Sequence, residues 1–161
     1  MDYAVASDSL VYIVNVNNVD PVINIVDIPQ TGVEGDSIQY KIDVQDPGDD
    51  TFTYSWNFGD GATSSDSSPI HTYKDNGTYT LNIMVEDDDK GFAQQTKKIV
   101  ISNIAPIVTA AFPESIEEGE QININYTVTD PGDDTFTYEF DFGDGGGITD
   151  SPVSYTHLRA H

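Results

Sequence analysis

Hydrophobic and polar residues alternate along this chain with a period of two. Ile38, Tyr40, Ile42 and Val44 sit between polar neighbours, and Ile122, Ile124, Tyr126 and Val128 repeat the pattern. Phe52, Tyr54, Trp56 and Phe58 form a second alternating set, and Tyr79, Leu81, Ile83 and Val85 a third. Such alternation, rich in Val, Ile, Thr and Tyr, predicts strands with one buried face. Turn clusters separate them: Pro47-Gly48-Asp49-Asp50, Gly59-Asp60-Gly61, Asp75-Asn76-Gly77 and Asp87 to Gly91. Asn76-Gly77 reads as a hairpin turn. No stretch shows helical spacing. About seven short strands in ~85 residues predict an all-β fold, an immunoglobulin-like sandwich.

The pattern is also repeated on a larger scale. The nine residues DPGDDTFTY at Asp46 to Tyr54 return unchanged at Asp130 to Tyr138, 84 residues later. Glu34-Gly35 recurs as Glu118-Gly119 and WNFGDG at Trp56 as FDFGDG at Phe140, both at the same 84-residue offset. Asn18-Val19-Asp20-Pro21 matches Asn103-Ile104-Ala105-Pro106 at an offset of 85. Identity of this length in register marks a tandem array. Residues 20–104 then make one complete unit, 1–19 the end of a preceding one and 105–154 the first part of a following one. The array should continue beyond both ends. Only Asn103 to Pro106 separates the last strand of one unit from the first strand of the next. Pro106 stiffens that linker, so successive units are expected to stack end to end.

Charge narrows the function. The 161 residues carry 28 Asp and Glu against 6 Lys and Arg, a net charge of −22, which excludes a nucleic-acid binder and disfavours docking on an anionic membrane. No apolar run approaches the ~20 residues of a spanning helix, so no membrane insertion is expected in this segment. The absence of cysteine rules out disulfides and thiolate metal sites. No H-E-x-x-H, G-x-S-x-G or Lys-containing phosphate loop is present, and the segment is read as non-enzymatic. Asp60 and Asp144 invite a catalytic reading, but neither has a partner carboxylate at a defined spacing. In the strand reading Trp56 and Phe58 share a face and can both bury, while Gly59 and Gly61 free the turn backbone and Asp60 caps it.

Trp56-Asn57-Phe58-Gly59-Asp60-Gly61, then Pro69, His71 and Tyr73, then Gly77, Tyr79 and Val85-Glu86-Asp87, resembles the polycystic-kidney-disease (PKD) domain family. The departures are Asn57 for the usual Asp and Phe140 for Trp in the second copy. The resemblance implies a seven-strand sandwich that is extracellular, non-catalytic and used in tandem as a spacer, stalk or adhesion module. Some members bind calcium through the unit junction and the loops after the second and sixth strands. By resemblance, the ligands here would be Asn18, Asp46, Asp50 and Asp87, with Asn103, Asp130 and Asp134 in the next unit.

Two sequons, at Asn76 and Asn125, could carry glycans. The last seven residues, 155–161, hold the sole Arg and two of the three His and read as an assembly scar, not as repeat sequence. Together these observations predict a structural or adhesive extracellular array, a stalk or fibre whose partners are its own neighbouring repeats. The alternative is a non-catalytic spacer array of a larger secreted hydrolase or adhesin. A carbohydrate-binding module would need exposed aromatic platforms, whereas these aromatics alternate inward.

Overall fold

The computed structural model describes residues 11–117, 120, 122–141, 147–148 and 154–155. The expected second GDG turn at Asp144, the second Glu-Gly pair at 118–119 and most of the atypical tail lie outside these residues. Every regular element among the described residues is a strand. In the complete unit these are β1 (Val22–Asp27), β2 (Thr31–Val33), β3 (Ser37–Gln39), β4 (Lys41–Gln45), β5 (Phe52–Asn57), β6 (Thr63–Ser64), β7 (Ile70–Thr72), β8 (Gly77–Asp87) and β9 (Phe92–Ser102). The following unit contributes β10 (Ile107–Ala111), β11 (Ile122–Asn123), β12 (Asn125–Thr129), β13 (Phe140–Asp141), β14 (Gly147–Ile148) and β15 (Ser154–Tyr155).

One layer is a five-stranded sheet in the order β2-β9-β8-β5-β6, with β2 parallel to β9 and the other pairs antiparallel. The other layer holds the pairs β1-β4 and β3-β7. The complete unit has nine strand segments instead of about seven. The excess arises partly because β3 and β4 are one chain path interrupted at Tyr40, whose N–H donates to Pro69 O at 2.9 Å while its carbonyl accepts from Ser68 Oγ at 2.9 Å. Side-chain and loop partners there replace ladder bonds, so the break leaves no orphaned backbone group.

The period-two sets meet between the layers as their alternation requires. Tyr40 and Ile42 from one layer and Trp56, Phe58, Leu81, Ile83 and Val85 from the other are buried, joined by Tyr73, Ile99 and Ile101. Trp56 is fully buried, and its Nε1–H donates to Asp66 O at 2.8 Å. Its ring lies 6.5 Å from that of Phe58, nearly parallel. Gly59 adopts φ +89°, and a Cβ there would lie 2.7 Å from Thr80 O, so only glycine fits this turn.

One local expectation is corrected. Asn76-Gly77 does not close a hairpin: it carries the chain from β7, paired with β3, to β8 in the other layer. In the second unit the Phe136–Phe140 counterpart of β5 is strand only at its end, β13. Residues 11–21 likewise form no strand, and Val11, Ile13, Val14 and Val16 are exposed. No helix among the described residues is long and apolar enough to cross a membrane.

Candidate metal centre

The WNFGDG motif braces the turn that follows β5. Asp60 Oδ1 accepts from Ala62 N at 3.0 Å, and its Oδ2 lies 2.7 Å from His71 Nε2. The His71 ring stacks on Phe58 at 4.0 Å and meets Tyr73 edge-on at 4.6 Å. Tyr73 is buried and donates to Phe58 O at 3.1 Å, so turn, imidazole and ring stack brace one another. Burial holds the Tyr73 phenol well above its ordinary range. A cleft of about 290 Å³ on the five-stranded sheet is lined by Ser55, Asn57, Asn82, Ile83, Met84 and their β9 neighbours, with no aromatic ring.

The acidic loops gather at the end of the unit. Asn18 Nδ2 donates to Asp87 Oδ2 at 3.0 Å, and Thr51 N donates to Asp88 Oδ1 at 3.3 Å, tying junction, β4–β5 loop and β8–β9 loop together. Asn18, Asp46, Asp50 and Asp89 line one cleft of about 320 Å³. Asp46 Oδ1 accepts from Gly48 N at 3.0 Å, while its Oδ2 is buried without a donor. The Asp50 carboxyl beside it is pushed up to about 6, chiefly because its protonated form can donate to Asp46 and the loss of water favours neutrality.

Asp87 also holds the loop in place. It is buried, and its Oδ1 accepts from Gly91 N at 2.8 Å. The Asn18 amide, helped by backbone N–H groups of the hairpin, holds its pKa below the ordinary carboxylate value. It is therefore the anchor of the β8–β9 turn. Gly91 has no room for a side chain, since a Cβ would approach Asp87, Asn18 and Asp20 Oδ1 within 2.5–2.8 Å. Asp20 thus also faces this cluster, a residue the repeat comparison did not single out.

At the start of the second unit Asn103, Asp130 and Asp134 also meet, but with a residue from the first. One oxygen each of Glu34, Asp130 and Asp134 lies within 4.8 Å of the others. With its amide nitrogen turned to the carboxylates, Asn103 donates to Asp134 Oδ2 at 2.9 Å and Glu34 Oε1 at 3.1 Å. Ile104 N donates to Glu34 Oε1 at 2.6 Å, and Gly132 N to Asp130 Oδ1 at 2.7 Å. Glu34 is fully buried, yet its Oε2 and Asp130 Oδ2 have no hydrogen-bond partner. Burial, then the charges of Glu34 and Asp130, raise the Asp134 pKa above its ordinary value.

Gly35 brings the units this close. It has φ +78°, and a Cβ there would meet Pro131 Cβ at 2.6 Å. Beside it Asp133 N donates to Lys74 O at 2.7 Å. Both sequon asparagines, Asn76 and Asn125, are exposed. Glu34 was missed as a candidate ligand, although its recurrence with Gly35 at the repeat offset was visible.

The sequence profile of the PKD domain matches residues 18–102 and 103–160. Among characterised proteins, collagenase ColQ1 of Bacillus cereus is 32% identical over 76% of this chain, which spans 13% of the collagenase. Human polycystin-1 is 30% identical over 66% of this chain and 2% of its own length. The pre-pro-metalloprotease PrtV of Vibrio cholerae is 32% identical over 61% of this chain and 11% of the metalloprotease. The chain thus corresponds to a small part of each relative. Among solved structures, the PKD1 domain of Vibrio anguillarum Epp is 26% identical, covers 53% of this chain and 96% of that domain, and gives a TM-score of 0.43.

Proposed function

We propose, from the premise that this chain belongs to the PKD domain family, that it is a non-catalytic, extracellular spacer array holding other domains of a larger protein apart. The observation that carries this reading is the junction. A linker of four residues, Asn103 to Pro106, joins β9 to β10; Glu34 accepts from Ile104 N of that linker, and Gly35 and Lys74 of the first unit contact Pro131 and Asp133 of the second. Short linkage with direct contact gives a semi-rigid step, which suits a spacer better than a Gly/Ser tether would. The occurrence of similar segments in collagenases and a metalloprotease supports the same reading, as does the acidic, cysteine-free composition.

A second reading is a stalk or adhesive fibre built of repeats alone, favoured by recurrence of both sides of the junction at 84–85 residues. The calcium assignment belongs here as a proposal: Asn18, Asp46, Asp50 and Asp87 as ligands in the first unit and Asn103, Asp130 and Asp134 in the second, with Asp87 also fixing the loop. Glycans on Asn76 and Asn125 would decorate exposed positions without touching the core. Small-angle scattering of the 161-residue protein tests the spacer reading. An elongated particle with a step of roughly 35 Å per unit is expected from the 11-residue strands β8 and β9 at about 3.3 Å per residue; a compact particle or a freely jointed chain would refute it.

A further inference from the structure

Glu34 belongs to one unit, yet its carboxylate lies in the acidic centre of the next. We propose that a hard divalent cation of the calcium class bridges the two units at this point, held by Glu34 of the first and by Asn103, Asp130 and Asp134 of the second. The inference deepens the spacer reading, on which it rests, by naming what locks one unit to the next.

Three carboxylates with oxygens within 4.8 Å of one another repel strongly without an intervening positive charge. Among the described residues the ion pairs are His71–Asp60 and Lys90–Glu86, and neither involves this cluster. Burial makes the arrangement costlier still, because Glu34 is shut off from water and its Oε2 finds no donor. Asp130 Oδ2 is buried and unpartnered in the same way. Such oxygens are what a cation would occupy. The donor set contains only oxygen, without His or Cys, which selects a hard ion over zinc or copper. Rotating the Asn103 amide by half a turn would add its carbonyl oxygen, giving a flexible, oxygen-only set that water can complete to calcium's six to eight ligands.

Recurrence gives the site its meaning for an array. Each unit carries a receiving half, Asn18, Asp46 and Asp50 or Asn103, Asp130 and Asp134, and a donating half, Glu34-Gly35 or Glu118-Gly119. A cation at each joint would therefore propagate head to tail. Gly35 belongs to the donating half because only its missing Cβ admits Pro131.

The test titrates calcium alone into the 161-residue protein by calorimetry, with Asp46→Asn present throughout so that the first cluster does not mask the second. Glu34→Gln should weaken binding by about tenfold or more, because ligand charge sets affinity in such sites. Scattering should show a calcium-dependent narrowing of inter-unit motion that E34Q loses. Asp130→Asn, on the other side of the joint, should do the same, and if E34Q fails to fold, Glu34→Asp, which keeps the charge but shortens the reach, should weaken binding and keeps the test decisive. Calcium binding unchanged in E34Q would place the site within the second unit alone, and no binding up to about 10 mM would remove it altogether. Either result overturns this inference while an elongated particle would leave the spacer reading intact.

Discussion

The two acidic clusters carry the same three residues, one Asn and two Asp, in the same order, yet they are closed differently. At the first, Asn18 turns its amide to Asp87, a carboxylate of its own unit, and Asp20 sits beside them. At the second, Asn103 turns to Asp134 and to Glu34, which comes from the neighbouring unit. Ala105 stands where the first junction has Asp20. The first cluster therefore shows what one unit assembles alone, an acidic cleft with a firmly anchored hairpin. The second shows what a neighbour adds: a buried carboxylate without a hydrogen-bond donor for Oε2. The same loop motif is a surface feature in one setting and a joint in the other.

The largest expected effect separates the core from both clusters. Trp56→Ala should destabilise the complete unit by about 3–5 kcal/mol through cavity formation, equally with calcium and with chelator, as read by thermal unfolding. If the loss depended on calcium, core and ends would not be independent.

Gly35→Ala should come next, at a cost on the order of 1–2 kcal/mol for its left-handed backbone alone. Because the new Cβ would strike Pro131, it should also loosen the joint in scattering while leaving the first cluster's chemistry unchanged. Asp87→Ala should lower the melting temperature in both buffers, since Asp87 accepts from Gly91 N and Asn18. Asp50→Asn should lower the melting temperature only when calcium is present. In chelator it relieves the contact with Asp46 and should leave the melting temperature unchanged or raised.

Acidification sharpens the comparison at smaller amplitude. Asp50, at about 6, and Asp134 are raised in the folded state. Between the ordinary carboxylate range and about 6 the folded protein binds more protons than the unfolded chain, so in chelator the melting temperature should rise as pH falls from 7 to 5. Asp87 is lowered, so its contribution is present above the unfolded value and is lost only as pH falls below about 4. With calcium bound the upper slope should reverse, because protons then compete with the ion.

Much of this was legible beforehand. Period-two alternation placed Tyr40, Ile42, Trp56, Phe58, Leu81 and Ile83 in the core, where they are. Asn18, Asp46, Asp50 and Asp87 were named together through the resemblance to PKD domains, and the structure gathers them at one end of the unit. Glu34 was not legible as a ligand because its partners stand about a hundred residues away in another unit, and a glutamate before glycine reads as an exposed turn. Asp87 was singled out by resemblance as a ligand; its burial and its bonds to Gly91 N and Asn18, which make it the anchor of the hairpin, show only in the structure. The Asn76-Gly77 hairpin failed because turn chemistry specifies a local bend, not the sheet the next strand joins.

The most direct measurement is an anomalous diffraction map from crystals of the 161-residue protein grown with calcium. A peak bound by Glu34 of one unit together with Asp130 and Asp134 of the next, at oxygen distances of about 2.3–2.6 Å, is the expected result. Glu34 turned away from a peak held by the second unit alone, or no peak between the units, would contradict a cation-locked joint.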